Sequence, residues 1–143
     1  MTMNEKRQKR YPDTDYFHFH NANPKGKITC DCTVRAISTA LQQDYTITLR
    51  EMTESSLKCG YMVNDPRNEA HYLKSKGWVK MNMPKKNDGK KYTGIEFCKY
   101  IAKENINYIA NIGAEHIVAV IGCKIIDTWN SSNRCVGTYW VKI

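Results

Sequence analysis

The feature that most constrains this chain is a pair of short apolar runs, His116–Ile121 and Lys124–Trp129, separated only by Gly122 and Cys123. Two residues reverse a chain as a tight turn, and glycine at the first central position suits that turn. The spacing predicts an antiparallel hairpin in which Ile121 pairs with Lys124, Val118 with Asp127 and His116 with Trp129. Side chains alternate along a strand, so His116, Val118, Asp127 and Trp129 are expected on one face. His116 and Asp127 become diagonal neighbours, roughly 7–8 Å apart at the backbone and closer at their tips. A carboxylate at that reach can accept the imidazole N–H and hold its tautomer. A three-residue loop would send the two groups to opposite faces.

Ahead of the hairpin the pattern is mostly helical. Val34, Ile37, Ala40 and Leu41 form an apolar stripe over Cys32–Gln43, with Asp31 placed as N-cap. A second helix is expected over Leu49–Lys58, stopped by Gly60, and a third from Asp65-Pro66 to Lys76, ended by Gly77. Thr93 to Glu96 has capping-box spacing and opens a stripe of Ile95, Cys98, Ile101 and Ala102. Strands are expected at Tyr16–His20, Trp78–Asn82, Tyr108–Ile112 and Thr138–Ile143, besides the hairpin, with Pro84–Lys91 an exposed loop. Helices followed by strands on short turns imply an α+β fold with an antiparallel sheet, not a doubly wound one. At 143 residues the chain suits one domain, read here as 15–143, with residues 1–14 a flexible basic arm.

Cys32 supplies the nucleophile that the hairpin lacks. The reactive form is the thiolate, and the positive end of a helix lowers a thiol pKa from its ordinary value. A nearby imidazole lowers it further by forming a thiolate–imidazolium pair. The backbone N–H of Cys32 is free in the first helical turn and can donate to an oxyanion. Cys32, His116 and Asp127 are therefore the candidate catalytic residues.

Cys30-Asp-Cys-Thr-Val-Arg-Ala-Ile37, followed late by His116-Ile-Val-Ala-Val120 and Asp127-Thr-Trp129, resembles the papain-like cysteine peptidases. The likeness is to short bacterial and phage-encoded members related to bacteriocin-processing peptidases, and it runs from about Asn23 to the C-terminus. It implies a papain-like fold with Cys32 as nucleophile, His116 as base and Asp127 as orienting group. Trp129 resembles the tryptophan that shields the His–carboxylate pair from water. The family's glutamine before the cysteine has no counterpart here; Asn23 is the nearest candidate oxyanion donor. Cys30 stands where a glycine is common and is a rival thiol. The resemblance further implies a phage or mobile-element origin, with the host cytoplasm as site of action.

The net charge is +8, with basic runs at Lys6–Arg10 and Lys85–Lys91. Such runs are expected to be solvated, although a nucleic-acid partner is an alternative that charge alone supports. The polar, basic start and the absence of a long apolar stretch argue against secretion and a membrane span, so the six cysteines are expected reduced. Cys59, Cys98, Cys123 and Cys135 read as packing residues, and Tyr61, Trp78, Tyr139 and Trp140 as core or groove aromatics. His18 and His20 with Cys30 and Cys32 are a weak zinc signal, since structural sites favour Cys-x-x-Cys; no metal is expected. Gly113 and Gly122 are isolated turn residues and form no phosphate loop, so no cofactor is expected. The expected reaction is cleavage of an amide or isopeptide bond in a peptide or protein. The alternative from a different class is a catalytically silent papain-fold binding protein.

Overall fold

The computed structural model describes residues 1–142. Ladder pairs Ile121↔Lys124, Val120↔Ile125 and Ala119↔Ile126 set the hairpin in the expected register. Both turn residues take left-handed backbone, Gly122 at φ 58° and Cys123 at φ 59°. That is the geometry whose twist matches the flanking strands.

In chain order the elements are α1 (Met3–Arg10), β1 (Phe17–Phe19), α2 (Cys32–Leu41), α3 (Tyr45–Cys59), α4 (Pro66–Ser75) and β2 (Trp78–Met81). A single turn, α5 (Gly94–Glu96), runs into a π-helical turn over Phe97–Ile101. Four strands complete the chain: β3 (Tyr108–Ile112), β4 (His116–Ile121), β5 (Lys124–Asp127) and β6 (Val136–Lys142). They form one α+β unit with a six-stranded sheet in the order β1-β5-β4-β3-β6-β2. The sheet is mixed, because β1 runs parallel to β5 while the other pairings are antiparallel.

The central strands read as nearly continuous apolar runs because both faces of the sheet are covered. Ile109, Ile117, Ala119 and Trp140 pack against Val34, Ile37, Met52 and Leu73 of α2–α4. Their neighbours Tyr108, Ala110, Ile112, Val118 and Val120 pack on the other side with Phe17, Phe19, Phe97 and Ile125. Alternate residues thus enter alternate cores. The first cluster, which includes Val34, Ala36, Ile37 and Ala40, holds α2 against the sheet.

Several boundaries differ from expectation for local reasons. The segment read as a flexible arm contains α1, where Thr2 Oγ1 and the Glu5 carboxylate form a capping box. α3 begins four residues early because the Asp44 side chain accepts from Thr46 and Ile47 N–H. α2 stops at Leu41 as Gln42 turns left-handed at φ 53°. β5 stops at Asp127, whose Oδ1 takes the Thr128 N–H at 2.7 Å and draws the chain out of the ladder. β6 begins at Val136, earlier than Thr138, because a register shift opposite Ala110–Ile112 absorbs Gly137; Ile143 lies outside the described residues. Cys135 and Tyr61 are exposed, not packed, and Tyr61 lies under the Arg67 guanidinium at 3.9 Å. No helix among the described residues is long and apolar enough to cross a membrane.

Candidate active site

The β4–β5 ladder ends at Ala119↔Ile126, while His116 still pairs with Ile112 of β3 and Asp127 with Phe19 of β1. The two side chains meet directly: His116 Nε2 lies 2.5 Å from Asp127 Oδ2. The expected shared face extends to this pair, while Val118 packs away in the core on the far side from α2. Asp127 is 2 % exposed, and its other oxygen accepts from Arg35 Nη1 at 2.6 Å and from the Thr128 N–H at 2.7 Å. Both oxygens of this buried carboxylate thus have donors, as burial of a charge requires.

Cys32 opens α2, whose N-terminus abuts the start of β4. With Nε2 of His116 committed to Asp127, Nδ1 is the ring atom left for the thiol. Burial opposes ionisation of Cys32. Hydrogen bonding to His116 and its charge, the Arg35 charge and the Ile117 backbone outweigh burial and bring the thiol below its ordinary pKa. For His116, burial disfavours the imidazolium, yet hydrogen bonds to Asp127 and Cys32, with their charges, raise its pKa to about 9. The two shifts run in opposite directions, each group favouring the charged form of the other.

Arg35 has no role in the sequence reading and is central here. Its Nε donates to Asp31 Oδ1 at 2.8 Å while Nη1 holds Asp127, so one guanidinium ties the helix start to the sheet end. The Asp31–Arg35 spacing, one helical turn, was the available signal. Asp31 does occupy the N-cap position, but its side chain makes no cap bond. Its Oδ2 accepts instead from Tyr45 Oη at 2.8 Å and Asn23 Nδ2 at 3.1 Å. Burial and the hydrogen bond to Asp31 push the Tyr45 phenol up to about 12, keeping it a donor. With Asp31 drawn away, its carboxylate leaves the first-turn N–H groups of α2 unclaimed, Cys32 N–H among them.

Cys32 and His116 open into a cleft of about 460 Å³ that also reaches Cys30, Arg35, Asn64, Glu115 and Trp129. Trp129 covers the histidine, ring centroids 4.8 Å apart at 40°. Cys30 is exposed on the same cleft, two residues from Cys32. Asn23 stands apart from the others: its Nδ2 donates to Asp31, and it does not line the cleft. Asn64, just before α4 and exposed, is the side-chain amide that does, and nothing in the local sequence pattern singled it out. Of the pairs weighed for zinc, His18 instead bonds Asp13 through Nδ1 at 2.7 Å. No family model, curated protein or solved structure matches the chain.

Proposed function

We propose that this chain is a papain-like cysteine hydrolase that cleaves an amide or isopeptide bond, similar in kind to the short bacterial and phage-encoded peptidases. The observation that carries the reading is the line from the Cys32 thiol through the His116 ring to the Asp127 carboxylate, with the thiol pKa lowered and the imidazole pKa raised. In the reaction the Cys32 thiolate adds to the carbonyl carbon, and the Cys32 N–H donates to the developing oxyanion. The His116 imidazolium passes its proton to the departing amine as the C–N bond breaks, leaving a thioester. His116 then takes a proton from water, whose hydroxide displaces the thiolate and frees the acid. Asp127 orients the ring and favours its charged form, and Trp129 keeps water from their hydrogen bond. The chemistry calls for no cofactor, and it suits a reducing cytoplasm that keeps Cys32 a thiol.

Iodoacetamide labelling with site mapping tests this, and Cys30 is an internal control on the same cleft. Cys32 should be alkylated at least about tenfold faster than Cys30 at pH 6.5, and His116→Ala should abolish the difference. Equal rates at the two thiols would end the catalytic reading. One observation favours the silent binding protein instead: the amide nearest before Cys32, that of Asn23, is turned to Asp31. Slow release of an acyl group from Cys32 after a single burst with an activated ester would select that alternative.

A further inference from the structure

Helix α1 buries none of its residues, yet it is pinned to the domain beside the catalytic cleft. Arg7 Nη1 donates to Thr128 Oγ1 at 3.4 Å, and Asn4 Oδ1 accepts from Asn21 Nδ2 at 3.0 Å. Between α1 and the body lies a cavity of about 400 Å³ lined by Met3, Lys6, Arg7, Arg10, Tyr11 and Trp129. Arg7 and Trp129 also line the cleft that holds Cys32 and His116, so the two spaces share a wall. A fourth cation, Arg134, stacks on Trp129 at 5.5 Å.

Among the described residues no carboxylate forms an ion pair with Lys6, Arg7, Arg10 or Arg134. Of the nearby exposed carboxylates, Glu5 on α1 accepts from the Thr2 N–H and Glu115 lines the catalytic cleft, and neither lines this cavity. Three cations around a pocket with thioether and aromatic walls match an anion carried on an apolar stem. Arginine holds such a group with paired N–H donors.

We propose that the α1 cavity is a substrate subsite for a carboxylate-bearing residue of a peptide, one that lies close to the scissile bond. The inference rests on the hydrolase reading for its meaning, since the shared wall of Arg7 and Trp129 leads from the bound carboxylate to the Cys32 sulfur. Two sources carry this chemistry, an acidic side chain and a free C-terminal carboxylate. Nucleic acid is disfavoured because the cations surround a cavity that continues into a cleft and are not spread along an open face.

Binding to the full chain carrying Cys32→Ala tests the subsite independently of thiol reactivity. The probes are acetylated pentapeptide amides of glycine with Glu, or Gln, at the centre, and the Gln peptide as a free acid. The readout is the indole N–H resonance of Trp129, assigned with Trp129→Phe. The Glu peptide should bind at least about fivefold more tightly than the Gln amide at low salt, with the gap closing at high salt. Arg10→Gln should remove the preference while leaving the fold's spectrum intact. If the free-acid Gln peptide gains as much as the Glu peptide, the recognised group is the chain terminus. Equal binding of the Glu and Gln amides and the free acid, a preference untouched by Arg10→Gln, or tighter binding of a single-stranded oligonucleotide would each overturn the proposal. None of these results bears on Cys32 labelling, so failure here and failure of the hydrolase reading are separate outcomes.

Discussion

Asp127→Asn keeps the size and shape of the side chain and removes its charge, so it isolates what the carboxylate does for His116. The imidazole pKa stands at about 9 against an ordinary 6.5. At about 1.4 kcal/mol per unit, that difference is on the order of 2–3 kcal/mol of preference for the imidazolium once screening at the cleft is allowed for. Burial opposes the shift, and the Asp127 hydrogen bond is the foremost contribution raising it, followed by that of Cys32. Removing the charge should therefore lower the imidazole pKa by at least about one unit. Arg35 then faces one carboxylate in place of two, and its guanidinium pushes in the same direction. Because the thiol and the imidazole stabilise each other's charge, the thiol pKa must rise as the imidazolium is lost.

The assay is the rate of Cys32 alkylation by iodoacetamide from pH 5 to 10. The wild-type protein should show a plateau that begins below the ordinary thiol range. In Asp127→Asn the midpoint should move up by at least about one unit, with labelling near pH 6 reduced on the order of tenfold. The variant also leaves a buried guanidinium short of a partner, which can unfold the site. The double variant Asp127→Asn/Arg35→Gln removes that charge and should recover stability without recovering the low midpoint. A folded Asp127→Asn protein whose midpoint stays in place would refute the reasoning.

Two further predictions concern the fold that holds the site. Glu69 on α4 is 6 % exposed, its Oε1 has no partner, and burial raises its pKa to about 7 despite Lys80 and Trp140. The unfolded chain releases this proton near the ordinary value and the folded protein only near neutrality, so stability should fall as pH rises across that window; Glu69→Gln should flatten the slope and gain up to about 3 kcal/mol at pH 8, and parallel denaturation curves for both proteins at pH 5 and pH 8 would disprove it. Gly94 opens α5 where an added Cβ would stand 2.7 Å from Ile125 Cδ1, 2.9 Å from Ile112 Cδ1 and 2.9 Å from the Ser132 backbone. Gly94→Ala should therefore cost about 1–3 kcal/mol in urea unfolding, and an unchanged midpoint would show that the second core has room to spare.

Features governed by neighbours in the chain were legible before any coordinates. Gly60 caps α3 in left-handed backbone at φ 83°, Pro66 opens α4, and Thr93 with Glu96 forms the expected capping box. The two-residue turn carried the most information, because its length alone sets which residues of β4 and β5 face each other. The failures share a cause. Asp31 looked like a helix cap, but its carboxylate turns instead to Arg35 one turn along and to Tyr45 and Asn23, and the last two partners are set by folding. Gly137 hid the start of β6, since a glycine inside a strand is tolerated only where a partner strand accepts the irregularity.

By itself the sequence determined the local elements, the hairpin register and the identity of three chemically apt side chains, because caps, turns and alternation act over a few residues. Only tertiary packing decided that α2 ends its N-terminus on the sheet beside β4, that Arg35 reaches Asp127, 92 positions along the chain, and that α1 walls the cleft. Contacts at such separation follow from how two cores on opposite faces of one sheet fill, and no local pattern encodes that.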